Sequence, residues 1–188
     1  DQIRKRLEEK GLSLDRLDLE YEMVEDKTIE GQVPMKVKGA QGDLEHHLRD
    51  TPVPFPESGG LAAQLLGGLA DMHDAGFVHG DIKLDNVLVY PIKDKIGNCI
   101  GYQLKITDFG KTREMNPEEY GMYTGNPRFS CPEARLTQKG EVFSGALAMI
   151  RVLEQEVLPP DGMMVPLYPD ECKDTSQQAQ SRQGIEKF

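Results

Sequence analysis

Apolar residues recur at helical spacing over residues 61–75, where Leu61, Leu65, Leu66, Leu69, Ala70 and Met72 fall on one face and Gly76 marks the end. Residues 141–158 carry Val142, Phe143, Leu147, Met149, Ile150, Val152 and Leu153, a helix apolar on most faces and so expected to be buried, with Pro159-Pro160 as its stop. A shorter helix is predicted over residues 1–10, with Ile3 and Leu7 among charges and Gly11 at its end. Another begins at Gly42-Asp43-Leu44-Glu45, with Asp43 as its N-cap. Alternation over 19–24 and 32–38, around Glu30-Gly31, predicts a hairpin. Val87-Leu88-Val89 and Leu104-Lys105-Ile106 predict a second hairpin, with Gly97-Asn98 in its loop. The prolines and glycines of Thr51–Gly60 predict a loop. Thr175–Gly184 is rich in Gln and Ser and predicts little structure.

Composition narrows the classes of function. A chain of 188 residues is enough for one domain or two small lobes. Chains of that size bury about 70% of their unfolded surface. The net charge of −10 argues against general nucleic-acid binding and against a polybasic membrane anchor. Cys99, Cys131 and Cys172 are odd in number and far apart, with no C-x-x-C pair, so neither a disulfide framework nor a zinc site is indicated. A reducing, cytoplasmic setting is the simpler expectation. No apolar run approaches a membrane span. There is no initial Met and no signal-peptide pattern, so the chain reads as a fragment or processed product, which leaves room for a removed targeting segment.

Two clusters carry the chemistry. His79-Gly80-Asp81-Ile82-Lys83-Leu84-Asp85-Asn86 is followed by Asp108-Phe109-Gly110. Together they set carboxylates, an amide and an ammonium where a nucleotide's phosphates and Mg²⁺ could be held. Asp81 could orient a hydroxyl for attack, Lys83 could neutralise charge on a transferring phosphoryl group, and Asn86 and Asp108 offer the hard oxygens that Mg²⁺ prefers. Phosphoryl transfer asks mostly for such positioning and charge stabilisation. Each residue also has a plain structural reading. Asp81 after a glycine suits a turn, Lys83 a solvated surface, and Asn86 a loop cap. The spacing of the set favours the chemical reading. His46-His47 has no third ligand nearby and reads as a solvated helix face.

The two clusters resemble the catalytic loop (H-R-D-x-K-x-x-N) and the metal-binding loop (D-F-G) of the protein kinase family. A third block, Gly125-Asn126-Pro127-Arg128-Phe129-Ser130-Cys131-Pro132-Glu133, resembles the end of a kinase activation segment. The resemblance runs from about Gln32 to Leu158. It implies an α+β, protein-kinase-like fold, a mainly helical C-lobe with a small remnant of the N-lobe. Residues 1–36 would be a partial N-lobe, 37–158 the C-lobe, and 159–188 a shortened end with a polar tail. The implied activity is ATP- and Mg²⁺-dependent transfer to Ser/Thr hydroxyls of a protein substrate. Asp81 and Lys83 would be catalytic, and Asn86 and Asp108 would hold the metal. Nucleotide contacts would come from Met35, Lys36, Val37, Lys38, Asp43, Lys83, Asn86, Leu88 and Asp108. Met35–Lys38 would carry the adenine, and Asp43 would lie near the ribose. His79 and Phe109 would brace the loops, and Glu141 stands where the family usually has an Asp.

Departures from the family pattern bear on activity. The chain contains neither a Gly-rich loop nor the strand Lys that holds the phosphates, and Glu8 or Glu9 is the expected acidic member of a regulatory helix at 1–10. Gly80 replaces the Arg that usually receives an activation-loop phosphate, which argues against phosphorylation-dependent activation. Tyr120, Tyr123 and Thr124 then read as loop polarity. Asn126 replaces a Thr that ties the segment to the catalytic loop, and its amide could still hydrogen-bond. Cys131 replaces an Ala. Two further readings remain open: a non-catalytic kinase-like binding module, and a small-molecule kinase of the aminoglycoside or choline kinase type.

Overall fold

The structure, a computed structural model, describes residues 2–20, 38–51, 53, 57–115 and 121–154, together with the backbone of 22–23 and 35–36. Helices and short antiparallel strand pairs alternate, the α+β arrangement expected. Helix α1 (Gln2–Glu9) buries Leu7. Glu8 and Glu9 both stay exposed, with Glu9 3.8 Å from Lys5. The predicted first hairpin is present where described: β1 (Glu22–Met23) pairs antiparallel with β2 (Met35–Lys36). Residues 24–34 of that hairpin lie outside the described residues.

Helix α2 (Leu44–Asp50) starts as its sequence indicates. The Asp43 carboxylate accepts the His46 N–H at 2.9 Å and caps one orphan donor. Helix α3 (Glu57–Asp74) takes in Ser58, Gly59 and Gly60, which the sequence assigns to a loop. Its buried side includes Leu61, Leu65, Leu69 and Met72, but Ala70 is exposed. The buried stripe runs instead through Ala62 and Gly68. At Gly68 an ideal Cβ would lie 3.0 Å from the Ile106 side chain and 3.2 Å from the Arg16 carbonyl. Close approach by neighbouring chain, not apolarity, selects the residue there.

Helix α4 (Gln138–Glu154) begins before the predicted start, and residues 155–158 lie outside the described residues. It is less uniformly buried than its composition implies, because Val142 is 52% exposed while Glu141 and Ser144 are buried. Gly145 lets α4 approach α3, since an ideal Cβ there would come within 2.8 Å of Leu69 Cδ2.

Strand β3 (Phe77–Val78) pairs with β6 (Arg113–Glu114), and β7 (Gly121–Met122) pairs with β8 (Arg135–Leu136). Strands β4 (Val87–Lys93) and β5 (Cys99–Ile106) form the second predicted hairpin, longer than the apolar triplets suggested. Their inner ends bury Val87, Val89, Leu104 and Ile106, whereas Ile92, Ile96 and Ile100 are exposed at the far end. The turn is tied by Asp94, whose Oδ1 accepts the N–H groups of Ile96 and Asn98. One core collects Leu7, Leu17, α2, α3, β4, β5 and α4, so residues assigned to a partial N-lobe share the core of the rest. Among the described residues no helix is long and apolar enough to cross a membrane.

Candidate active site

The catalytic loop leaves β3 and is fixed from two sides by buried polar contacts. His79 is fully buried, and its Nε2–H donates to the Thr107 carbonyl at 2.8 Å. Its Nδ1 accepts the Asp81 N–H at 3.3 Å. Those two bonds require the neutral ring protonated on Nε2. Burial also pushes its pKa below the ordinary value, against the pull of Glu141, the Thr107 carbonyl, Asp108 and Asp81. His79 therefore braces the loop, and its ring lies 5.5 Å from that of Phe109.

On the other side stands Glu141 of α4, only 3% exposed. Its Oε1 accepts the Gly80 N–H at 2.7 Å, and its Oε2 accepts from His73 Nε2 at 2.8 Å. A carboxylate this deep needs such partners. Gly80 has φ +86, and an ideal Cβ there would lie 2.7 Å from the Lys111 carbonyl oxygen. Any side chain would collide with the segment that follows Asp108-Phe109-Gly110.

Asp81 is nearly buried and receives a donor on each oxygen. Lys111 Nζ donates to Oδ2 at 3.0 Å, and the Asn126 N–H donates to Oδ1 at 2.9 Å. Burial pushes the Asp81 carboxyl up. The Lys111 hydrogen bond, the Asn126 N–H and the charges of Lys111 and Lys83 outweigh it and hold the pKa below the usual Asp value. Lys83 itself is turned to Asp85, with Nζ 3.4 Å from Oδ2. The tie at Asn126 is made by its backbone N–H, while its side-chain amide oxygen accepts the Arg128 N–H.

The proposed metal ligands come from either side of the β4–β5 hairpin. Asn86 ends a short 3₁₀ turn (Leu84–Asn86), and its Nδ2 donates to the Asp81 carbonyl at 2.9 Å. Its own carbonyl accepts the Thr107 N–H at 3.0 Å, which sets it beside the chain that leads into Asp108. Asp108 is exposed in a left-handed conformation (φ 62), with Oδ1 accepting the Gly110 N–H. The Asn86 amide oxygen and the exposed Asp108 carboxylate are each hard-oxygen donors. Such donors suit Mg²⁺, which keeps several waters and takes further oxygens from phosphates. Among the described residues no group of three or more His, Cys, Asp or Glu could hold a metal by itself.

The nucleotide-side residues are brought together in part. Gln41 N–H donates to the Val89 carbonyl, Val89 N–H donates to the Gly42 carbonyl, and Asp43 bridges to half-buried Leu88. The chain from Lys38 to Asp43 thus runs along β4, with Lys38 exposed. Asp43 is already engaged as a cap and with the His46 ring at 2.8 Å. Met35 and Lys36 lie on β2, and Val37 falls outside the described residues.

Sequence reasoning missed Lys111, whose signal was a cation directly after Gly110, and His73, which bonds Glu141. Two plain readings also change. His47 is not on a solvated face but half-buried, edge-on to Tyr102 at 4.5 Å. Tyr123 is not loop polarity. It is half-buried, and burial pushes its pKa up against the lowering effect of Ser144. Tyr120 lies outside the described residues, and Thr124 is exposed.

Comparison with known proteins bears on the family and the fold. A serine/threonine-protein kinase, pkn2 of Myxococcus xanthus, is 32% identical over 124 residues, covering 60% of this chain and 14% of the relative. A probable serine/threonine-protein kinase of Dictyostelium discoideum, fhkB, is 34% identical over 98 residues, covering 52% and 8%. Human Rho-associated protein kinase 1 is 33% identical over 109 residues, covering 55% and 7%. The chain therefore spans only a small part of the length of these relatives. A crystal structure of the yeast RNA Pol II CTD kinase CTDK-1 complex matches in fold with a TM-score of 0.58 at 20% identity, over 82% of this chain and 50% of that one. The family description "Protein kinase domain" matches residues 23–180, well over half of the chain, and with the three motif blocks in place the chain belongs to the protein kinase family.

Proposed function

We propose that this protein transfers the γ-phosphoryl group of ATP to a Ser or Thr hydroxyl of a protein substrate, with Mg²⁺, in an intracellular setting. The observation that carries the reading is Asp81, a carboxylate fixed by two donors at the meeting of catalytic loop and activation segment. Held there, and with its pKa below the usual value, Asp81 is an ionised acceptor that orients the attacking hydroxyl. Lys83, whose Nζ now lies 3.4 Å from Asp85, would turn from that carboxylate to balance phosphoryl charge. Asn86 and Asp108 hold the metal, which when bound neutralises charge on the phosphate oxygens.

The test is steady-state transfer from radiolabelled ATP to protein and to small alcohols, by wild type, Asp81→Asn and Asp108→Ala. Turnover should fall about 10²–10⁴-fold in Asp81→Asn while nucleotide binding holds, since the contact matters mainly in the transition state. Asp108→Ala should instead weaken Mg-ATP binding. Phosphatase treatment should leave activity largely intact, because Gly80 offers no cation to a segment phosphate. Equal turnover in wild type and Asp81→Asn would sink the reading. A non-catalytic binding module is the second reading, favoured by the donors that already occupy both Asp81 oxygens. Label appearing on a small alcohol alone would identify a small-molecule kinase.

A further inference from the structure

Two points of the segment, well apart in sequence, converge on one carboxylate. Lys111 reaches Asp81 Oδ2 with its ammonium, and Asn126 reaches Oδ1 with its backbone N–H. The Lys111 backbone also packs close against Gly80, its carbonyl oxygen lying 2.7 Å from where a Gly80 Cβ would stand. The other nearby ammonium, Lys83, is engaged by Asp85. Lys111 thus supplies the cation that ties the segment to the catalytic loop, at a loop whose glycine cannot receive a phosphate.

Building on the phosphotransfer reading above, we propose that Lys111 is a positioning residue: it clamps the start of the activation segment onto Asp81, so that the acceptor-binding surface is set without phosphorylation. In that reading Asp81 orients the acceptor hydroxyl, so Lys111 acts on the binding of acceptor more than on that of nucleotide. A residue that merely filled space would do neither, and Lys111 is half-exposed, with little space to fill.

The experiment uses the whole chain as wild type, Lys111→Met and Lys111→Arg, the first removing the charge at similar length and the second keeping it. Amide hydrogen exchange is read at Thr112–Glu114 and at Asn126, and steady-state transfer from ATP to a protein acceptor is read as separate kcat and KM. Lys111→Met should speed exchange at those amides by about tenfold or more and raise the acceptor KM by about tenfold, with the KM for ATP nearly unchanged. Lys111→Arg should restore both. Exchange within about twofold of wild type in Lys111→Met, or no rescue by Lys111→Arg, overturns the proposal. A wild type that transfers no phosphate but shows the full exchange pattern overturns the phosphotransfer reading while supporting the clamp. Active wild type with an unchanged acceptor KM in Lys111→Met overturns the clamp's role in acceptor binding and leaves the phosphotransfer reading standing.

Discussion

Adding one methyl group at Gly80 tests how closely the activation segment is packed on the catalytic loop. The backbone there has φ +86, a left-handed conformation that costs an L-residue about 1–2 kcal/mol. The new Cβ would also stand 2.7 Å from the Lys111 carbonyl oxygen and 3.3 Å from Lys111 Cβ. These are contacts with the main chain and its first carbon, so no flexible side-chain end can swing away. Such overpacking typically costs about 1–3 kcal/mol. Gly80→Ala should therefore destabilise by about 2–5 kcal/mol, a large share of the about 5–15 kcal/mol that holds a domain folded. Gly97→Ala separates the two costs, because Gly97 has φ +94 but nothing within 4 Å of its Cβ position. It should lose only about 1–2 kcal/mol. Urea unfolding of the two variants and wild type measures both, with equal m-values showing that the denatured states are comparable. Gly80→Ala no less stable than Gly97→Ala would refute the claim that Lys111 sits against Gly80. The same variant should lose activity while still folded, because moving Lys111 takes its ammonium off Asp81.

Three further outcomes follow from burial and capping. Met72 is fully buried in the core, so Met72→Ala should cost about 2–5 kcal/mol in urea unfolding, and a loss below about 1 kcal/mol would show that the site collapses around the cavity. Asp43→Ala removes the α2 cap and should cost about 0.5–2 kcal/mol. If Asp43 also touches ribose, calorimetry should show weaker ATP binding beyond that, whereas unchanged affinity would leave it a cap only. Acid should destabilise the fold through His79. The unfolded imidazole binds a proton below about pH 6.5 while the buried ring, with its lowered pKa, stays neutral, so stability falls as pH drops through that value and levels off below the folded pKa. Urea midpoints from neutral to mildly acid pH should change less in His79→Gln than in wild type. His47 is shifted in the same direction and remains in both proteins, so the difference reports His79. Equal slopes would show that His79 is not the buried neutral group described.

What the sequence determined by itself was local and periodic. The α3 stripe at Leu61, Leu65, Leu69 and Met72, the Asp43 cap, and the β4–β5 hairpin are each specified by neighbours a few residues away, so spacing reveals them. The motif blocks around Asp81, Asp108 and Pro132 that point to the family were legible for the same reason, since each lies within a few consecutive residues. Ala70, Val142, His47 and Tyr123 were misjudged because each depends on which distant element covers it, and periodicity does not contain that. The pairing of charges was decided only by tertiary structure. Lys83 is two residues from Asp81 in sequence yet turns to Asp85, while Lys111, thirty residues away, takes the Asp81 oxygen. Glu141 bonds the Gly80 N–H across a sequence separation of 61. Long side chains choose partners by the space the fold leaves them, and at this site Gly80 leaves that space for Lys111.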